Sequence, residues 1–329
     1  MVTGLSPFSW TWEAMVKIHK FYLKVFLWLL AMALWDRVIP ACAQSYKWVA
    51  EWGGKGGGDG QFDSPVGIAL DRSGNVYVSD LGNNRIEKFT SKGKFLLKWG
   101  TKGEGKGQFQ RPSGLVVDKA GIVYVVDAGN CRIQKFDDKG NFLAAWGKRG
   151  NTMGDFGYYD VEPKSVALDG TGNVYVVDGR IQKFTSNGKF LALWGTFRNF
   201  NGNSSYNFTD TKGLVVDGSG NIYADDVMIS KFGPDTHYLG DFGGVGKGEG
   251  QFRLPWGLAL DKKGNIYVAD TGNNRIQKLD YRGKFLAAWG SYGPCKGKLK
   301  GPYGVAVDDS GNVYVTDLGN HLVQKFAPH

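Results

Sequence analysis

From residue 46 onward, hydrophobic residues come in short runs cut by Gly, Asn and Asp. In the stretch Pro255 to Gly290 the runs read GLALD, NIYVAD, RIQKL and KFLAAWG, with Lys-Lys-Gly, Thr-Gly-Asn-Asn and Tyr-Arg-Gly between them. Runs rich in β-branched and aromatic residues, separated by turn formers, predict four antiparallel strands. The same unit recurs. Aligning the Asp that ends each first run gives Asp71, Asp118, Asp169, Asp217, Asp261 and Asp308, six copies spaced 44 to 51 residues apart.

One four-stranded sheet cannot bury its own faces, whereas six in succession bury them by stacking radially, so the pattern predicts an all-β, six-bladed propeller. The ends indicate how the ring closes. The last unit stops at Lys325-Phe326 without a KFLAAWG run, and YKWVAEWG at 46–53 matches the missing piece. The N-terminal strand is therefore expected to complete the last blade, with Trp52 in the place that Trp99, Trp146, Trp194, Phe242 and Trp289 hold elsewhere.

The consensus GxGQFxxPxGLALDxxGNIYVADxGNNRIQKFxxxGKFLxxWG is nearly whole at 246–290, 51–100 and 105–147 and looser in the other copies. On these residues the chain resembles the NHL-repeat family of six-bladed propellers, over residues 46 to 327. No Trp-Asp dipeptide closes the blades, and no paired-glycine blade motif is present, so the WD and kelch patterns fit poorly. The resemblance implies a binding face, and in some members more. Propellers similar to this family include an amidating lyase with histidine-held zinc, lactonases with a channel metal held by acidic and amide side chains, and RNA binders within tripartite-motif proteins.

Composition narrows these options. Fifty glycines in 329 residues suit a chain with many turns, and a single repeat period argues for one domain rather than two. The net charge is +9, of which residues 1–43 carry +2 (four basic, two acidic), leaving +7 on the remainder. One Lys per third strand (Lys88, Lys135, Lys183, Lys231, Lys278, Lys325) spreads that charge round the ring, which reads as a solvated rim and not a nucleic-acid face. The propeller region holds only His237, His321 and His329, too few and too scattered for a zinc site. No GxSxG or comparable nucleophile motif occurs. Neither metal nor cofactor is expected. Recurrent Asp–Arg pairs (Asp80 with Arg85, Asp127 with Arg132, Asp270 with Arg275) read as blade clamps, and the DxxGN turns as plain turns that lack a calcium loop's alternating oxygens.

Residues 1–43 read as an export signal. From Met15 the sequence runs through basic Lys17, Lys20 and Lys24, an apolar stretch Val25 to Trp35, and Ala41-Cys42-Ala43, the layout of a secretory signal cleaved after Ala43. The residues before Met15 form a possible N-terminal extension. Eleven apolar residues are short for a bilayer roughly 30 Å thick. A lipid anchor at Cys42 is the alternative membrane link. Cys131 and Cys295 belong to separated blades, so no disulfide is expected.

Two candidate sites lie on the face formed by the loops leading into each blade and the turns between second and third strands, here called the top. The longest loops precede blades three and four and carry Tyr158, Tyr159, Phe197, Arg198, Phe200, Tyr206 and Phe208 in place of the terse GxGQFxxP. The channel mouth is the second candidate. There Val66, Ser113, Lys164, Lys212, Trp256 and Tyr303 form a ring, with the cations Lys164 and Lys212 on one side and the aromatics Trp256 and Tyr303 on the other, suited to an anionic or sugar-like ligand. The functional expectation is a secreted or envelope-associated, monomeric, non-catalytic propeller that binds a protein, peptide or glycan. A channel-mouth lyase or hydrolase and an RNA-binding propeller are the alternatives.

Overall fold

A computed structural model describes residues 46–195, 208, 211–235 and 237–329 of the chain. The segment read as an export signal lies outside the described residues, as do Phe197, Arg198, Phe200 and Tyr206. Six four-stranded antiparallel sheets follow one another in the order expected. Blade one is built from Pro65–Leu70, Val76–Asp80, Arg85–Phe89 and Phe95–Trp99, inner strand first. Blade four, with inner strand Leu214–Val216 and outer strand Tyr238–Phe242, is the most abbreviated. Among the described residues no helix is long and apolar enough to cross a membrane.

The ring closes through Tyr46–Gly53, which pairs antiparallel with the third strand of blade six, Leu322–Pro328, from Tyr46 opposite Pro328 to Gly53 opposite Leu322. Four of the seams are packed alike, that of Phe242 on Gly283 among them. The outer-strand aromatic of one blade presses on a glycine in the next blade's last turn, Trp52 on Gly93, Trp99 on Gly140 and Trp146 on Gly188. At Gly93 a Cβ would stand 2.7 Å from the Trp52 indole, and φ of +82° is already the left-handed region, so no other residue suits the position. At the seam between blades five and six the position equivalent to Gly93 is Tyr46, not glycine. Tyr46 fills the place, stacked on Trp289 with ring centroids 3.9 Å apart and its hydroxyl 3.0 Å from that of Tyr267.

Two further parts of the repeat hold the blades. In each DxxGN turn the Asp side chain caps its own turn: Asp71 accepts from the Ser73 and Asn75 amides at 2.9 and 2.8 Å and from the Asn75 side chain at 2.8 Å, with Gly74 at φ +79°. On the top face the Asp–Arg pairs are clamps. Asp127 is fully buried, takes Arg132 Nε at 2.7 Å, and Arg132 reaches the carbonyls of Glu104, Gly105 and Gln108 in the loop leading into its blade. A loop tied down this way offers a fixed surface.

The third-strand lysines correct the expectation of a solvated rim. Lys88 and Lys278 are buried and the other four half-buried. Their Nζ atoms lie over the Tyr of their own second strand, at 4.9 Å for Lys88 over Tyr77 and 5.1 Å for Lys278 over Tyr267, and in blades one, three and five also near the DxxGN Asp, 3.3 Å for Lys183 to Asp169. A lysine on a long apolar stem gains more by threading between blades towards a ring and a carboxylate than by lying on the surface. Repeated in every blade, this Asp–Tyr–Lys set is scaffold.

Candidate functional site

The inner strands surround a central cavity of about 280 Å³ whose upper opening is lined by Val66, Lys164, Lys212, Trp256 and Tyr303. Ser113 is buried beside it, donating to the Lys164 carbonyl at 2.9 Å. The ring read from spacing therefore exists, because each of its residues begins an inner strand and strand starts converge at the top. Trp256 and Tyr303 meet edge to face, centroids 4.6 Å apart at 68°. Burial, and then the negative charge of Asp225, pushes the Tyr303 hydroxyl up to about 12, so at neutral pH it is a proton donor.

Asp225, fully buried behind the mouth, is an acid that spacing alone did not bring out. The second strand ends nine residues after the DxxGN Asp, at Asp80 in blade one; in blade four that count lands on Asp226. Asp225 thus occupies the place of Ser79, Val126, Val177, Ala269 and Thr316, and it pairs with Ile229 as Ser79 pairs with Ile86. In blade one the Ser79 hydroxyl accepts from Gly67 N at 2.8 Å and donates to the Ser113 carbonyl at 2.5 Å. Thr316 does the same between Gly304 N and the Val66 carbonyl, both at 2.7 Å. A hydroxyl here stitches one mouth residue to the next. Asp225 keeps only half of the stitch: Oδ1 accepts from Lys212 N and Gly213 N at 2.8 and 2.6 Å, while Oδ2 is buried with no hydrogen-bond partner. The side chain is fully buried, and burial moves its carboxyl from the ordinary 3.8 to about 7. A Cβ on Gly213 would overlap Oδ2, so the glycine makes room for the acid. Thr211, two residues before Gly213, also buries a hydroxyl without a partner.

The blade three to four edge is different from what its aromatics suggested. Tyr158 is half-buried, its ring lying under the Arg180 guanidinium at 4.1 Å, and Tyr159 belongs to the same turn, Tyr158–Asp160, its side chain lying outside the described part. Phe208 is not a surface residue. It is 3% exposed and packs on Phe232 with centroids 5.4 Å apart, as Phe62 packs on Phe89 at 5.6 Å. The signal was present: Phe208 precedes Gly213 by five residues, as Phe62 precedes Gly67. Arg180 likewise serves blade three, with Nη2 at 2.8 Å from the buried Asp178.

Among the described residues no three His, Cys, Asp or Glu side chains gather in a way that could hold a metal ion. Cys131 is buried and Cys295 exposed, both free.

Comparison with known proteins agrees with the architecture. The NHL repeat model matches residues 62–89, 109–136, 252–279 and 299–326, which fall in blades one, two, five and six. Protein lin-41 of Caenorhabditis elegans is 44% identical over 46 residues, and the E3 ubiquitin-protein ligase TRIM71 of Rattus norvegicus 52% identical over 44. These matches span 14% and 13% of this chain but only 4% and 5% of those proteins. Over most of its length the chain superposes on a streptogramin B lyase (12% identity, TM-score 0.59, 86% of this chain and 98% of that one). A gluconolactonase from Xanthomonas campestris aligns similarly (14% identity, TM-score 0.59, 82% and 88%). At such identity the likeness is one of fold alone.

Proposed function

We propose that this NHL-repeat chain, a ring of six blades, is an exported binding module that takes an acidic sugar of a glycan at the top mouth of its channel. The observation that carries the reading is the split mouth: Lys164 and Lys212 on blades three and four face the Trp256–Tyr303 pair on blades five and six across one cavity. An ammonium group offers charge-assisted hydrogen bonds to a carboxylate, and an indole offers a flat apolar face to a sugar ring. The Asp–Arg clamps of the top face recur in several blades, and a repeated feature does not mark one ligand position. Export rests on the layout of residues 15–43 and predicts a mature N-terminus at Gln44, read by mass spectrometry of the secreted protein.

The lyase and lactonase alternative has fold likeness behind it, and among the described residues no three His, Cys, Asp or Glu side chains gather to support it. Glucuronate is the test ligand, with glucose as the uncharged control. Trp256→Ala, or Lys164→Gln with Lys212→Gln, is expected to weaken glucuronate binding about tenfold, the loss of one charge-assisted or stacking contact of about 1.5 kcal/mol. The melting temperature is expected to stay nearly constant, since these side chains are only half-buried at the rim of the cavity. Calorimetry showing equal affinity for glucuronate and glucose, or variants that bind as the parent does, would overturn the assignment.

A further inference from the structure

We propose that Asp225 is a positioning residue that links anion capture at the channel mouth to protonation, its neutral carboxyl group admitting an anion that its carboxylate repels. This builds on the channel-mouth reading and adds to it the regulation of that site. The geometry comes first. A carboxyl stands where two other blades use a hydroxyl to bridge neighbouring mouth residues, and one of its oxygens is buried without a donor. A carboxylate at such a place leaves a full charge with one unsatisfied oxygen, whereas the neutral acid carries an O–H of the kind Ser79 and Thr316 donate.

The charge of Asp225 is felt inside the mouth. It acts on the Tyr303 hydroxyl, which lies on the cavity wall, and Lys212, whose backbone amide binds Oδ1, lines the same wall. The charged groups acting on it are led by Lys212 from the segment leading into blade four and Asp226 from its own turn, while Tyr303 of blade six, on which Asp225 acts in turn, is neutral in this pH range. Blade five contributes Trp256 to that opening, which does not titrate. Asp226 disfavours the ionised form, and burial does so more strongly. Lys212 and the two backbone amides favour it. The balance puts the change of charge close to neutrality, so a modest fall in pH alters the mouth by one unit of charge.

The test uses benzenesulfonate, whose own charge is constant across the range and whose ring suits Trp256. Calorimetric Kd values are measured from pH 5.5 to 8.5 for the parent, Asp225→Asn and Asp225→Thr. The second variant carries the residue blade six uses at this position, which guards against a folding defect in the first. The parent is expected to lose about tenfold in affinity between pH 6 and pH 8, the effect of one charge roughly 10 Å away at an effective dielectric of about 20. Both variants are expected to hold the acid-side affinity throughout. A parent Kd independent of pH, or the same slope in parent and variants, overturns the coupling and leaves the mouth as a binding site. No benzenesulfonate binding by any of the three at any pH overturns the channel-mouth reading and the coupling with it.

Discussion

Replacing Tyr46 and Trp52 together by alanine is expected to lower the unfolding free energy by about 5 kcal/mol in urea titrations. Both side chains belong to the strand that joins the two ends of the chain. Trp52 packs on Gly93 and faces Phe89 and Tyr314, with ring centroids 6.0 and 6.4 Å away. Tyr46 stacks on Trp289 and bonds Tyr267 through its hydroxyl. Removing an indole and a phenol from a packed seam costs the transfer of their rings and the cavities left behind. It also weakens the strand on which closure depends, because blade six has no other outer strand. Trp99→Ala is the comparison, since it removes an equivalent indole from a seam the chain already crosses covalently. A double variant within 1 kcal/mol of the parent would show that the closing strand contributes little to stability.

Glu87→Gln is expected to stabilise the protein, by about 2 kcal/mol at pH 8 and by almost nothing at pH 4.5. Blade one has Glu87 where the other regular blades have Gln134, Gln182, Gln277 and Gln324. Gln134 accepts from Gly107 N at 3.0 Å and donates to the Gln108 carbonyl and to Asp127 at 2.6 and 3.0 Å. Glu87 repeats the first contact, taking Gly60 N at 2.9 Å, and its other oxygen forms an ion pair with Arg85. Burial pushes its carboxyl from the ordinary 4.5 to about 7, against the pull of Arg85. Between those two values the native state holds more protons than the unfolded chain, so stability falls as pH rises through that window, and the fall is absent from the amide variant. Arg85 keeps partners in the variant, namely Asp80 and the carbonyls of Gly57, Gly58 and Gln61. Thermal unfolding of both proteins from pH 4.5 to 8 decides the matter. Parallel curves would mean that Glu87 does not titrate in this range.

The candidate site was partly readable in the residues alone. Lys164, Lys212, Trp256 and Tyr303 could be placed at one opening because strand starts in a propeller must converge, whatever the side chains do. Phe208 was misread because blade four lost the Gly-Gln that normally precedes this phenylalanine, which left an apparent loop aromatic; its distance to Gly213 kept the information. Asp225 escaped for a related reason. Two adjacent aspartates at a strand end look like one turn, and the pairing of Asp225 with Ile229 places the first of them within the sheet.

Periodicity in the sequence determined the number of blades, their strand order, the pairing of the N-terminal strand with the last blade and the role of each Asp–Arg clamp. These follow from local alternation and turn chemistry, which act over a few residues and repeat. Tertiary structure alone decided which charged groups meet solvent. The third-strand lysines are drawn inward towards the next blade some fifty residues away, the clamp aspartates are buried under the loop leading into their own blade, and Asp225 loses both water and a second partner. Burial is a property of what packs against a residue, and no count along the chain contains it.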